Sequence, residues 1–177
     1  MKTVPRITLI TGGARSGKSA LAESRASLVS GPALYIATAE PLDAEMTQRI
    51  EIHRARRGTG WSTLEEPLDL PGALARSDDG HRLRLVDCLT LWLANVMAGG
   101  APEPRVTELC DVLRIQRGPV LLVTNELGLG IVPDNALARK FRDQHGWMNQ
   151  AVAGIADEVW MSVSGLPLRL KPQGAFS

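Results

Sequence analysis

Cysteine is scarce in this chain: there are two in 177 residues. Cys88 and Cys110 form no spacing that suggests a zinc site or a disulfide framework, and both sit in apolar or helical surroundings. They read as buried thiols of a reducing compartment. Long apolar runs are missing too. No run approaches the roughly 20 residues of a membrane span, and the first, "ITLI", falls far below a signal peptide's apolar core. A cytosolic, cytoplasmic protein without a membrane span is therefore expected. Nor is there an excess of one charge. Lys and Arg number 20 against 19 Asp and Glu, a net charge of +1, which gives no electrostatic argument for nucleic acid or an anionic membrane as partner. Any basic site must be local. Internal repeats and low-complexity linkers are absent, and the length suits one domain, residues 1–177, with a sizeable core.

What is present is alternation. Short β-branched and apolar runs, "RITLIT" (6–11), "ALYIAT" (33–38), "LRLVD" (83–87), "PVLLVTN" (119–125) and "DEVWMSV" (157–163), recur between segments of helical spacing. The first four read as strands buried on both faces. Those segments include "SGKSALAESRASLV", "PLDAEMTQRIEIHRARR", "CLTLWLANVMAGG", "VTELCDVLRIQ" and "NALARKFRDQHGWMNQAVAGIA". This order predicts an α/β fold, a mostly parallel sheet with helices on both faces. At the end, "DEVWMSVSGLPLRLK" places Ser-Gly between two apolar runs, which predicts a C-terminal antiparallel edge hairpin. "SGP", "GGAPEP" and "RGP" read as loops.

"GGARSGKS", residues 12–19, follows the first strand and opens a helical segment, the order a phosphate loop requires. Gly12 and Gly17 permit the tight turn that points backbone N–H groups of Gly12, Gly13, Ala14, Arg15, Ser16 and Gly17 at phosphate oxygens. Lys18 can reach the outer phosphates, and the Ser19 hydroxyl can hold Mg²⁺. A P-loop protein usually presents a carboxylate at the end of a neighbouring strand, and Asp87 closes "LRLVD" in that place. Asp87 could equally cap the helix that follows it.

Residues 43–67, "DAEMTQRIEIHRARRGTGWSTLEEP", carry a second signal. Read as a helix, they put Leu42, Met46, Ile50 and His53 on one stripe. Arg49 and Arg57 lie four residues either side of His53, and Arg56 three beyond. Neighbouring cations keep more of the imidazole neutral, with a lone pair for attack on phosphorus, and the same arginines can neutralise phosphate oxygens. An Arg-rich solvated helix face with an incidental histidine explains the spacing as well. His81, in a polar turn, and His145, before a helix break expected at Gly146, are weaker candidates.

The phosphate loop and this segment together resemble the bifunctional adenosylcobinamide kinase/adenosylcobinamide-phosphate guanylyltransferase family of cobalamin biosynthesis. The resemblance runs through "TGGARSGKS", "YIATA", "RIEIHRARR" leading into "WSTLEE", "VDCLTLWLAN", "VTNELGLGIVPDNALARKFRD", "NQAVAGIADEVW" and "SGLPLRLK". It implies a RecA-like P-loop NTPase fold, a homotrimer with the nucleotide site near a subunit boundary, and two reactions. In one, ATP or GTP phosphorylates adenosylcobinamide. In the other, a histidine takes GMP from GTP, releasing pyrophosphate, and passes it to adenosylcobinamide phosphate to give adenosylcobinamide-GDP. By position the guanylylated histidine falls on His53. Nucleotide contacts fall on Gly12 through Ser19, on Ala37, Thr38 and Ala39, on Arg54, Ala55, Arg56 and Arg57, on Glu65 and on Asp87. Mg²⁺ falls to Ser19 and Asp87. Glu65 could meet the guanine edge or the ribose, or be a surface carboxylate beside Glu66; Thr38 could be a plain strand-end residue. Asn125 and Glu126, on the glycine-rich segment after a strand, are candidates to face the corrinoid or the metal. A simple P-loop kinase without a covalent intermediate, and a nucleotide-dependent switch, are the competing readings.

Overall fold

Apolar and β-branched runs too short for helices become strands of one sheet in the computed structural model, which describes residues 5–40 and 60–172. The strands are β1 (Ile7–Gly12), β2 (Ala33–Ala37), β3 (Trp61–Glu65), β4 (Leu83–Asp87), β5 (Val120–Val123), β6 (Glu158–Val163) and β7 (Leu166–Lys171). Helices are α1 (Lys18–Ala26), α2 (Leu70–Arg76), α3 (Leu89–Ala98), α4 (Pro102–Ile115) and α5 (Ala136–Ile155). The order across the sheet is β3-β2-β4-β5-β1-β6-β7. Every pair is parallel except β6–β7.

Alternation along the strands sends side chains to two cores. Leu9, Leu34, Ile36, Val86 and Leu122 pack under α2, α3, α4 and α5 with Trp92, Leu109 and Val152. On the other face Ile10, Tyr35, Leu85 and Val123 pack against Ala22 and Ala26 of α1. Helices on both faces, the four double-buried strands and the edge hairpin agree with the expectation from sequence. The hairpin turn is Ser164–Gly165, with positive φ at both residues (53° and 81°), the geometry that matches strand twist in a two-residue connection. Cys88 and Cys110 are buried free thiols in opposite cores. Burial pushes the Cys88 thiol up to about 11. No helix among the described residues is long and apolar enough to cross a membrane.

Three local expectations need correction. Residues 61–65, the tail of the segment read as one helix, form strand β3: Trp61, Thr63 and their neighbours favour extended chain and pair with β2. Helix α2 carries no earlier expectation; the Asp69 side chain caps it at the Gly72 N–H and Pro71 sits in its first turn. "APEP" is not all loop, because α4 begins at Pro102, where missing N–H groups cost nothing. Helix α5 also runs unbroken through Gly146 for 20 residues. One glycine costs only about 1 kcal/mol, less than the packing of a helix that buries Met148 and Val152.

At the N-terminal edge of the sheet, Arg84 is fully buried and bonded to Asp78 Oδ1 (3.1 Å), Gln116 Oε1 (2.6 Å) and the Gly118 carbonyl (2.7 Å). Burial works to raise the Asp78 carboxyl, but the Arg117 and Gly118 amides and the Arg84 charge outweigh it and hold it below the ordinary aspartate value.

Candidate active site

Parallel pairing sets the C-terminal strand ends beside one another. Glu65 is in register with Ala37, Ala37 with Asp87, Asp87 with Val123 and Val123 with Ile10. The loop of residues 12–19 therefore leaves the sheet two strand spacings from Asp87, about 10 Å, and four from Glu65, about 19 Å. Strand β5 stands between β1 and β4. The immediate neighbour of the loop is consequently the exit of β5, Thr124 to Glu126, and not Asp87. Glu126 N–H donates to the Gly12 carbonyl at 3.0 Å.

The loop is shaped by the terminal hairpin. Gly12 runs so close to it that a Cβ would lie 2.5 Å from the Ser162 carbonyl and 2.6 Å from Ser16 Oγ. Gly17 has φ 95° and precedes α1 directly. The Ser16 carbonyl accepts from Ser162 Oγ (2.7 Å) and from Gly165 N–H (2.9 Å). Lys18 Nζ donates to the Gly13 carbonyl at 3.0 Å, which keeps the ammonium on the loop. Ala14 and Arg15 are exposed, and Ser19 lies half-buried in the first turn of α1. The positive end of that helix faces the loop.

Half-buried Asp87 accepts the Tyr35 hydroxyl at Oδ2 (2.9 Å), which orients the carboxylate. It does not cap α3; that position belongs to Cys88. Thr38 is fully buried, and its hydroxyl donates to the Cys88 carbonyl (2.8 Å) and accepts the Cys88 N–H (2.9 Å). The side chain thus ties β2 to the start of α3, while Ala37 and Ala39 flank it half-buried at the strand end. Glu65 is exposed at the far end of the same row. His53, Arg54, Ala55, Arg56 and Arg57 lie outside the described residues.

Ser162 was missed in the sequence, and His145 stood there only as a weaker candidate. Ser162 gave no signal, because its partner is 146 residues away. His145 is 1% exposed, and burial, partly offset by the Glu126 charge, lowers its pKa. The stripe Phe141, His145, Met148, Val152 on α5 carried that signal at helical spacing.

Residues 8–170 match the family described as cobinamide kinase / cobinamide phosphate guanyltransferase. The chain is 48% identical over 167 residues to the bifunctional adenosylcobalamin biosynthesis protein CobP of Pseudomonas aeruginosa, covering 92% of this chain and 96% of that protein. It is 40% identical over 181 residues to the bifunctional adenosylcobalamin biosynthesis protein CobU of Escherichia coli K12, covering 92% and 98%. Among solved structures, the RadB recombinase superposes with TM-score 0.51 at 16% identity, over 89% of this chain and 74% of that one. A type III secretion ATPase superposes with TM-score 0.56 at 15% identity, over 88% and 50%. These last two show the fold, RecA-like, and nothing more.

Proposed function

The chain belongs to the cobinamide kinase / cobinamide phosphate guanyltransferase family, and from that premise we propose that one nucleotide platform, at the C-terminal edge of its sheet, serves both reactions. It is a bifunctional enzyme of adenosylcobalamin biosynthesis. The observation that carries the proposal is the braced loop of residues 12–19, with Lys18 on it and an oriented Asp87 on the same row of strand ends. Loop amides and Lys18 hold the triphosphate of ATP or GTP and neutralise charge as it develops. In the kinase step the terminal phosphate passes to the aminopropanol hydroxyl of adenosylcobinamide. In the guanylyl step a nitrogen of neutral His53 attacks the α-phosphorus of GTP, the bond to the bridging oxygen breaks and pyrophosphate leaves. Adenosylcobinamide phosphate then attacks the phosphoramidate, frees the imidazole and carries away GMP. Arg54, Arg56 and Arg57 follow His53 in sequence, and their charge favours its neutral form and the transferring phosphate.

Ser19 and Asp87 offer hard oxygens on one rim, which fits Mg²⁺, a cation that takes few protein ligands and completes its shell with water and phosphate. When bound it neutralises triphosphate charge. Ala37, Ala39 and Glu65, further along the row, are assigned to the nucleoside end of the substrate. The family resemblance supports a single catalytic domain, a homotrimer and a cytoplasmic location.

Incubation with α-labelled GTP and Mg²⁺ tests the covalent step. An acid-labile, alkali-stable label lost in His53→Ala is expected, with phosphorylation of adenosylcobinamide retained. Equal labelling of wild type and His53→Ala defeats the reading.

A further inference from the structure

Strand β4 ends at Asp87, opposite Val123 of β5. Beyond that row, β5 continues with one flank uncovered: on the β1 side, Thr124 N–H still reaches the Ile10 carbonyl (2.9 Å) and Glu126 N–H the Gly12 carbonyl (3.0 Å). On the vacated β4 side the Asn125 N–H donates instead to Thr90 Oγ1 of α3, at 2.9 Å. A side chain has replaced the missing strand. The Asn125 carbonyl is held as well, by Asn149 Nδ2 of α5 (3.0 Å) and Thr11 Oγ1 (3.3 Å).

His145 sits at the centre of these contacts. Its Nε2 lies 3.0 Å from Thr90 Oγ1 and 3.2 Å from Thr124 Oγ1, all three groups being buried. Thr124 gives its proton to Asn149 Oδ1 (2.8 Å). Thr124 can therefore only accept from Nε2, so Nε2 carries the ring proton and presents it to the two threonine oxygens, while the lone pair on Nδ1 faces Asn149 Nδ2 at 3.5 Å. The donor count is complete when His145 is neutral. Phe141 and Asn149 flank it on α5, and Glu126, on the exit of β5, is the charged group acting on it.

We propose that His145 is a positioning residue for phosphoryl transfer: through Thr90 and Thr124 it fixes the Thr124–Glu126 exit of β5 against the phosphate loop. The exit shares the Gly12 carbonyl with that loop, so slack in one moves the other. This rests on the loop being the kinase platform. A displacement of about 1 Å beside a reacting group costs up to about 100-fold in turnover.

The test uses the full chain with Thr90→Val, which keeps shape and removes the hydroxyl, Thr90→Ser, which restores it, and His145→Phe. Amide exchange over residues 124–127 and kinase kinetics are measured for each. Expected are exchange at least about tenfold faster and kcat at least about tenfold lower in Thr90→Val and His145→Phe, with nucleotide KM within about threefold. Thr90→Ser should behave as wild type, and the double variant should be no worse than either single one, as coupled residues require. The acid limb of the wild-type kcat profile should be absent in His145→Phe. Unchanged exchange in both damaging variants overturns the proposal, as does kcat within twofold of wild type or a Thr90→Ser as impaired as Thr90→Val. A wild-type enzyme without kinase turnover would sink the platform reading and the catalytic half of this one with it, while the exchange data would still decide whether His145 fixes the β5 exit.

Discussion

Ser162 gives its hydroxyl proton to the main-chain carbonyl of Ser16 at 2.7 Å, so the last hairpin holds the first loop. A trans peptide points its C=O and N–H in opposite directions. Anchoring the Ser16 carbonyl on the hairpin therefore turns the Gly17 N–H away from it, into the loop where phosphate oxygens are to be met. If the loop holds the triphosphate as proposed, a bond between two serines thereby presets one of the amides that meet it.

Ser162→Ala removes one of the two donors to that carbonyl and leaves the Gly165 N–H. The loss of one hydrogen bond, about 1 kcal/mol, corresponds to roughly fivefold weaker GTP binding. Titration calorimetry should show that drop with a melting temperature close to wild type.

Gly12→Ala is a harsher change, because the new methyl meets the main-chain carbonyl of Ser162 at 2.5 Å and the Ser16 hydroxyl at 2.6 Å. Overpacking of this kind costs about 1–3 kcal/mol. Thermal unfolding should move down, and nucleotide affinity should fall by at least about tenfold as the loop shifts.

Tyr35→Phe deletes the hydroxyl that orients Asp87 and keeps the ring packed in its core. If Asp87 serves the metal, the variant needs about tenfold more Mg²⁺ for half-maximal turnover, with kcat at saturating Mg²⁺ near wild type. Turnover measured against Mg²⁺ concentration checks this.

Asp78→Ala strands the buried Arg84 charge and should destabilise by about 3–5 kcal/mol in urea titration. In the wild type the folded carboxyl is held below 3.8, so the unfolded chain binds the proton more readily. The contribution of Asp78 is full above that value and is lost as pH falls through the lowered folded one. Asp78→Ala should accordingly show a flatter acid dependence than wild type.

Both thiols are buried in separate cores, and thiolate is the reactive form. A colourless thiol reagent test such as disulfide exchange at neutral pH should label neither cysteine in the native protein and both once it is unfolded.

Strands β1, β2, β4 and β5 were legible because burial on both faces makes each a short, mostly apolar or β-branched run, and turn chemistry marked the hairpin. Strand β3 was not. It lies at the sheet edge, where Ser62, Thr63 and Glu65 are exposed, so its pattern is short and polar and merges with the helical spacing before it. The phosphate loop was legible as a local motif, and Asp87 as a strand end. Its separation from the loop by β5 was not, because strand order is a tertiary choice that one run of residues does not record. His145 was discounted for preceding Gly146, although packing carries α5 through that glycine. The hydroxyl of Thr38 turned out to bond Cys88, a partner 50 residues away that no local pattern announces.

Strand β1 lies between β5 and β6, and its paired residues start at Val120 and Glu158. A ribosome therefore delivers the nucleotide loop early and both of its lateral supports late. A nascent chain halted near α3 would display the complete loop sequence yet lack the two strands that give it a fixed place. Affinity for nucleotide should thus emerge only after β5, β6 and β7 have been made, more than 100 residues behind the loop they support.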